Sequence, residues 1–454
     1  MTDSTATVDT ATDAGFFGHP RGLSTLFFTE MWERFSYYGM RAFLILYMVA
    51  PAASGGLGFT DAHAASIYGT YTGSAWAAAI LGGLVADRLL GQYHTVLLGA
   101  IIIAAGHFTL AFKTLPFFYT GLGLIVIGTG LLKPNVSTLV GSLYPEKDPR
   151  RDAGFSLFYM GINLGAFTGP LIAGYLAQRV GWHIGFASAG FGMALGVVQY
   201  ILGRRRLAHG IARLGQKPSA ATADTAAARR TAEARSGFSA GEWKRMAAIV
   251  IFFVAASLFW GAYEQAGSTL NLFADRYTRL TMFGFTFPSS WFQSVQPIFV
   301  IILAPVFGWL WLRLGRREPS VPAKFAIGLL FMGLAFLILI PAGAMASGGG
   351  GNIRVSPWWL IWSYFISELG ELCISPVGLS AVTKLAPLRI VGLMMGVFFL
   401  SNAAGDKLAG WAASFFSSMP LDALFKDVTI VLLVAAAVMF VIIKPTRKLM
   451  ESAQ

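Results

Sequence analysis

Four charged side chains stand in one apolar stretch of the sequence, from residue 22 to residue 50. They are Glu30, Glu33, Arg34 and Arg41, and the spacing of the first three, at intervals of three and four, puts them on one helix face. A buried carboxyl group beside a guanidinium can load and release a proton, because burial favours the acid and the cation favours the carboxylate. A charge at the bilayer centre costs roughly 2.5–3.5 kcal/mol, so this stripe of residues must face protein or water. The pattern predicts proton chemistry inside a membrane.

Three more ionisable residues stand in apolar stretches, namely Lys133, Glu264 and Glu371. Lys133 precedes Pro134, which weakens a helix and leaves a carbonyl that needs another partner. Trp260 stands four residues before Glu264, on the same helix face. Cationic positions in the first half of the chain therefore oppose acidic positions in the second half.

This charge distribution suits a ligand that carries both charges. A carboxylate would be held by Arg34, Arg41 or Lys133. An ammonium group would be held by Glu371, which has Ser375 one helical turn after it.

The elements that position these residues must be membrane helices. The 454 residues are 55% hydrophobic and 12% charged, with a mean hydropathy of +0.62, and this charged fraction is far below that of soluble domains. The net charge of +12 lies in short loops and not on a continuous basic face, so nucleic acid is not predicted as a partner. One cysteine, Cys373, excludes an intrachain disulfide, and the six histidines show no metal-ligand spacing.

Twelve apolar stretches, each bounded by polar or Gly/Pro-rich breaks, are predicted as spans. The first six lie at 22–50, 64–86, 95–112, 116–141, 154–178 and 183–202. The second six lie at 242–274, 286–312, 325–343, 357–385, 391–417 and 427–443. We therefore predict an all-α membrane protein with an N-terminal six-helix bundle at 22–202, a cytoplasmic linker at 203–241, a C-terminal six-helix bundle at 242–444, and tails at 1–21 and 445–454.

Loop charges predict the orientation. With both termini in the cytoplasm, the cytoplasmic loops carry 20 Lys and Arg residues and the opposite loops carry 6. This excess follows the positive-inside rule. We expect a multi-pass protein of the cell inner membrane with both termini cytoplasmic.

Two six-helix halves joined by a polar linker are typical of secondary transporters, whose substrate site lies between the halves. The end of the second span, "GGLVADRLLGQYHT", resembles the loop signature of the major facilitator superfamily.

The segment "EMWERFSYYG" closely resembles the ExxERFxYYG signature of the proton-dependent oligopeptide (peptide) transporter family. The segments "GLLKPNVSTLVG", "FSLFYMGINLGAFTGP", "FWGAYEQAGS" and "ELCISPVGLSAVTKLAP" also match, in the expected order and in both halves. The resemblance implies a bacterial member with the major facilitator fold that imports di- and tripeptides together with protons.

The resemblance also implies roles for single residues. The proton-coupling positions match Glu30, Glu33 and Arg34 in the first span and Glu264 in the seventh. Two gating salt bridges match Arg41 with Glu264 on the periplasmic side, and Lys133 with Glu371 on the cytoplasmic side. The peptide-binding positions match Arg34, Arg41, Tyr37, Tyr38, Lys133, Tyr159, Asn163, Trp260, Glu371 and Ser375.

The sequence departs from the family pattern at three pocket positions. Trp76 and Phe398 stand where the family often has Tyr and Trp, and Gln296 stands where it often has Asn. These differences alter pocket volume and hydrogen bonding. Glu368 and Asp406 are additional acidic residues.

The leading hypothesis is peptide uptake driven by the proton gradient, by a monomer that lies in the lipid bilayer and needs no cofactor or metal. One alternative is proton symport of nitrate or another small anionic metabolite, since related plant proteins share much of the first-span motif. A second alternative is a membrane sensor that binds peptide without transport. None of the three is an enzyme.

Overall fold

A computed structural model of the protein describes residues 15–145, 148–215, 238–348, 353–387 and 390–451. Most of the predicted N-terminal tail, the middle of the predicted linker and the last three residues lie outside the described residues.

The first half of the chain is helical. Its helices are α1 (Arg21–Val49), α2 (Asp61–Val85), α3 (Gly91–Leu110), α4 (Leu115–Ser142), α5 (Arg151–Gly169), α6 (Tyr175–Arg179), α7 (Trp182–Leu202) and α8 (Arg204–Gly215). Two π-helical turns interrupt long helices: Ala86–Leu90 connects α2 to α3, and Pro170–Gly174 connects α5 to α6. Because Pro170 has no N–H to donate, the regular pattern of α-helical hydrogen bonds is interrupted there.

The second half continues this architecture. Its helices are α9 (Ala240–Tyr263), α10 (Thr269–Tyr277), α11 (Val295–Leu314), α12 (Val321–Leu337), α13 (Leu339–Gly348), α14 (Trp358–Leu385), α15 (Val391–Ala413), α16 (Leu421–Val441) and α17 (Ile443–Glu451). Ser239 and Glu242 form a capping box that begins α9. The 3₁₀ turn Glu264–Gly267 separates α9 from α10, within one predicted span.

A short hairpin follows α10. Strands β1 (Thr281–Met282) and β2 (Phe285–Thr286) pair antiparallel, with Thr281 opposite Thr286. Both turn residues, Phe283 and Gly284, have positive φ angles of 51° and 78°, which is the backbone that a tight hairpin turn needs.

Every predicted span overlaps a described helix. Within the described ranges, nine helical stretches are long and apolar enough to cross a bilayer, and one of these, Asp61–Leu110, runs through two predicted spans. The two predicted spans outside this set are α1 and α15, and both carry charged residues in their interior.

The described chain groups into two compact units. The first contains the described residues within 15–40, 78–177 and 183–215. The second contains those within 41–77, 178–182 and 238–451. The predicted bundle limits at 22–202 and 242–444 stay a prediction.

Close backbone contact between glycines holds α3 against α4 in the first unit. A Cβ atom on Gly128 would lie 2.6 Å from the Gly99 carbonyl oxygen, and one on Gly121 would lie 2.8 Å from that of Gly106. Small residues allow two membrane helices to approach closely where lipid tails offer no competing hydrophobic force. In the second unit, Gly328 of α12 and Gly370 of α14 make the same kind of contact.

The segment before α1 is fixed to the loop after α4. His19 Nδ1 lies 2.9 Å from the Tyr144 hydroxyl, and Arg150 Nη1 donates to the Gly18 carbonyl (3.3 Å). Arg150 also donates to both oxygens of Asp148, and these hydrogen bonds lower the pKa of that carboxyl.

Candidate functional site

The α1 stripe is a buried ion cluster in the first unit. Glu30 Oε1 lies 3.0 Å from Arg34 Nε, and Glu33 also forms an ion pair with Arg34. All three side chains are buried. The cluster holds two acids and one base, and Lys133 of α4 interacts electrostatically with Glu30. Removing one member of a buried ion pair typically costs about 3–5 kcal/mol, so these charges depend on one another.

Two tyrosines extend this cluster along α1. The Arg34 guanidinium carbon lies 5.4 Å from the ring centroid of Tyr37 and 6.0 Å from that of Tyr38. Cation–π contacts of this kind orient a guanidinium without taking up all of its N–H donors. Arg34 therefore keeps the capacity to bind a further anionic group besides Glu30 and Glu33.

Lys133 lies at a weakened turn of α4. Pro134 cannot donate a backbone hydrogen bond to the Gly130 carbonyl. One residue on, Asn135 Nδ2 donates to the carbonyls of Gly82 (3.0 Å) and Leu131 (2.8 Å). The Asn135 side chain thus provides hydrogen bonds to backbone carbonyls near the turn that carries Lys133.

Helix α5 supplies two further predicted positions. Tyr159 is exposed in the structure and Asn163 is buried, with Asn163 Nδ2 donating to the Tyr159 carbonyl (3.0 Å). Gly161 lets α5 approach α1, since a Cβ atom there would lie 3.0 Å from the Phe27 carbonyl oxygen.

The second unit contains an ion pair between Arg41 and Glu264. Arg41 Nη2 donates to Glu264, and Arg41 Nε donates to the Tyr68 hydroxyl. Glu264 occupies this place because α9 ends at Tyr263 and the 3₁₀ turn begins. In that turn, a Cβ atom on Gly267 would collide with the Tyr68 hydroxyl and lie 2.8 Å from Arg41 Nε. Glycine is therefore required for the charged pair to pack against the broken helix.

The remaining predicted residues of the second unit lie on several helices. Glu371, Gln296 and Phe398 are buried, while Trp260, Trp76 and Ser375 are partly exposed. The Trp76 ring stacks on Phe399, with centroids 6.3 Å apart. Trp260 packs edge-on against Tyr263 at 5.1 Å.

Sequence reasoning missed an ion pair at the start of α2. The Arg276 guanidinium donates to both carboxylate oxygens of Asp61 (2.6 and 2.7 Å), and the Ser417 hydroxyl donates to the same carboxylate. Asp61 and Arg276 lie at the edges of apolar stretches, in segments predicted to be loops. They were therefore not considered as charges inside the membrane. Tyr68 and Gly267 were also missed, because neither carries a charge.

Comparison with known proteins identifies the chain. The model of the POT (PTR2) family matches residues 93–226 and 223–431. This chain belongs to the POT family.

Individual relatives of this POT chain match nearly its whole length. It is 39% identical to the peptide transporter YePEPT of Yersinia enterocolitica, over 97% of each chain. It is 36% identical to a di-/tripeptide transporter of Lactococcus lactis, over 97% of this chain and 98% of that one. A solved structure of a peptide transporter POT variant in complex with alafosfalin has 40% identity and a TM-score of 0.86, and covers 98% of this chain and 100% of that chain.

These matches confirm the predicted family and the predicted all-α membrane fold of the major facilitator type. The POT chain is a multi-pass membrane transporter and not an enzyme. Among the residues that the structure describes, no group of three or more His, Cys, Asp or Glu side chains could hold a metal ion. The functional roles assigned to single residues stay predictions.

Proposed function

We propose that this protein is a proton-coupled symporter that imports di- and tripeptides by alternating access. The observation that carries the proposal is the buried charge arrangement, with acids beside Arg34 in α1 and the Arg41–Glu264 pair at the broken helix. Relatives that match over nearly the whole chain are named peptide transporters, which supports a peptide as the substrate.

We assign proton binding to Glu30, Glu33 and Glu264. Each is buried and each contacts a guanidinium, so protonation would remove the charge that its arginine partner compensates. A proton on Glu264 would weaken its pairing with Arg41, which makes that pair suited to a gate on the periplasmic side. The pairing of Lys133 with Glu371 at a cytoplasmic gate is proposed on the family resemblance.

We assign peptide binding to residues of both halves of the chain. Arg34, Arg41 and Lys133 would hold the peptide carboxylate, and Glu371 would hold its ammonium group. Hydrogen-bonding and shape-selecting positions are Tyr37, Tyr38, Trp76, Tyr159, Asn163, Trp260, Gln296, Ser375 and Phe398.

The proton gradient would be the energy source, and no cofactor is proposed. The loop charges support a location in the cell inner membrane with both termini cytoplasmic. We propose the monomer as the functional unit.

Purified protein in vesicles with an inward-directed proton gradient tests the proposal. We expect accumulation of labelled dialanine that a protonophore abolishes, with protein-free vesicles as the control. Transport of nitrate without dialanine would favour the anion symporter. Binding of dialanine without any transport would favour the sensor.

A further inference from the structure

Helix α14 contains a second buried acid, Glu368, that the proposed cycle does not use. It lies three residues before Glu371, so the two carboxyl groups share one side of the helix. Glu368 is 0% exposed and Glu371 is 5% exposed. The two carboxyl groups interact electrostatically with each other.

Two polar, uncharged side chains contact the Glu368 carboxyl group among the residues that the structure describes. The Tyr263 hydroxyl of α9 donates to Glu368 Oε1 (2.9 Å), and the Gln296 amide of α11 lies beside the carboxyl group. Gln296 Nε2 also faces the Ser367 hydroxyl at 3.4 Å. Within the described residues, Glu368 Oε2 is buried and has no hydrogen-bond partner.

Cations on the neighbouring helices are engaged elsewhere. Lys324 of α12 forms an ion pair with Glu318 and lies 4.3 Å from the Trp311 ring centroid. Lys407 of α15 donates to the Thr70 hydroxyl (2.6 Å). In the described part of the chain, the titratable groups that interact with the Glu368 carboxyl group are Tyr263 of α9 and Glu371 of its own helix, and α11 contributes the neutral Gln296.

Two buried acids one helical turn apart cannot both stay ionised at low cost in a state where no cation is paired with Glu368. One proton bound to the pair halves its negative charge, and the unpartnered Oε2 is an atom on which that proton can sit. We propose that Glu368 is a second proton-binding site of the transport cycle, separate from the acids of α1 and from Glu264.

The proton step is a simple transfer. A hydronium ion gives its proton to the Glu368 carboxylate, an O–H bond forms, and water is left behind. Tyr263 is partly exposed and its hydroxyl donates to Glu368 Oε1, so it is placed to give its own proton to that oxygen while it takes up one from water. On release the same bond breaks and the proton returns to water.

Occupation of this site changes the charge that the pair presents to a cation. With Glu368 protonated, the pair carries one negative charge, and a peptide ammonium meets Glu371 alone. With Glu368 ionised, the pair carries two negative charges and attracts a protein cation more strongly. This role rests on the proposed peptide symport.

The ratio of protons to dialanine, measured from the reversal potential in vesicles, tests the inference. Glu368→Gln keeps nearly the same shape but cannot titrate, so we expect the ratio to fall by about one. Asp427→Asn neutralises an exposed acid on α16 and should leave the ratio unchanged. An unchanged ratio in Glu368→Gln would overturn the inference.

Infrared spectroscopy gives a readout that does not depend on transport. Acidification of the wild type should add the C=O band of a protonated carboxyl group, and Glu368→Gln should lose part of that band. An undiminished band in Glu368→Gln overturns the proton site. Failure of the wild type to transport dialanine overturns the proposed function while leaving the infrared result intact.

Tyr263→Phe tests the relay in a chain whose acids are all present. We expect slower gradient-driven uptake with unchanged exchange of peptide across the membrane in the absence of a gradient. Equal slowing of both processes would contradict a relay and indicate a structural role for the hydroxyl.

Discussion

At the scale of single residues, the charged side chains of α1 compensate one another in a buried cluster. Glu33 is 0% exposed and pairs with Arg34, which also binds Glu30. A buried charge is tolerated when a partner and hydrogen bonds replace the lost water. The same arrangement makes each acid responsive to a proton.

Glu33→Gln keeps the side-chain shape and removes the titrating group. We expect this variant to lose gradient-driven dialanine uptake and to retain counterflow of peptide down its own gradient. Both rates can be measured in the same vesicles. Persistence of gradient-driven uptake would contradict the assignment of Glu33 to proton coupling.

Gly267 controls the packing of the Arg41–Glu264 pair. Gly267→Ala puts a methyl group against the Tyr68 hydroxyl and Arg41 Nε. We expect the folded protein to lose about 1–3 kcal/mol of stability, as overpacked sites do, and dialanine uptake to fall. Thermal melting and vesicle uptake measure the two effects.

Gly83→Ala on α2 is the matched control, since nothing lies within 4 Å of a Cβ atom at that position. The control should melt no lower than the wild type, because alanine favours the helix, and should transport like the wild type. Wild-type uptake by Gly267→Ala would show that this contact does not shape the gate.

At the scale of helices, single residue types decide which elements can approach and where they break. α3 and α4 pack through paired glycines, whereas α9 ends at the turn that carries Glu264. Broken helices offer backbone groups and buried polar side chains at membrane depth, which an uninterrupted helix cannot do. The charged site and the break therefore occur together.

Two glycines of α4 give a direct test of helix packing. Gly128→Ala would place a Cβ atom 2.6 Å from the Gly99 carbonyl oxygen, while Gly123 is exposed and nothing lies near its Cβ position. We expect Gly128→Ala to lower the melting temperature, because overpacking costs about 1–3 kcal/mol and exceeds the gain in helix propensity of about 1 kcal/mol. Gly123→Ala gains propensity alone and should melt no lower than the wild type. The reverse order of melting temperatures would refute close α3–α4 packing.

At the scale of the whole molecule, the distribution of loop charges predicts the orientation in the membrane. In a Cys373→Ser background, Thr281→Cys introduces a thiol in the exposed hairpin, on the side predicted to be periplasmic. Arg317→Cys introduces one in an exposed turn on the predicted cytoplasmic side. We expect a membrane-impermeant maleimide to label the first in cells with a permeabilised outer envelope, and the second after the inner membrane is opened. The opposite labelling pattern would show an inverted topology.

The sequence by itself determined the class of protein and its family. Long apolar stretches of this kind can form all their backbone hydrogen bonds in lipid as helices. Placing a charged residue within such a helix costs free energy, so each charged residue found there is a candidate functional residue. The prediction of Glu30, Glu33, Arg34, Arg41 and Glu264 as candidate residues needed nothing beyond spacing and the family motifs.

Tertiary structure decided which of these residues touch and what surrounds them. Arg41 and Glu264 are 223 residues apart, and the hydroxyl of Tyr68 and the bare backbone of Gly267 complete their site. Tyr68 and Gly267 carry no charge, so nothing in the sequence marks them as part of the site. Among the described residues, Glu368 Oε2 has no hydrogen-bond partner, and this too is decided by tertiary packing. The positions of the neighbouring helices determine whether a buried oxygen has a donor within reach.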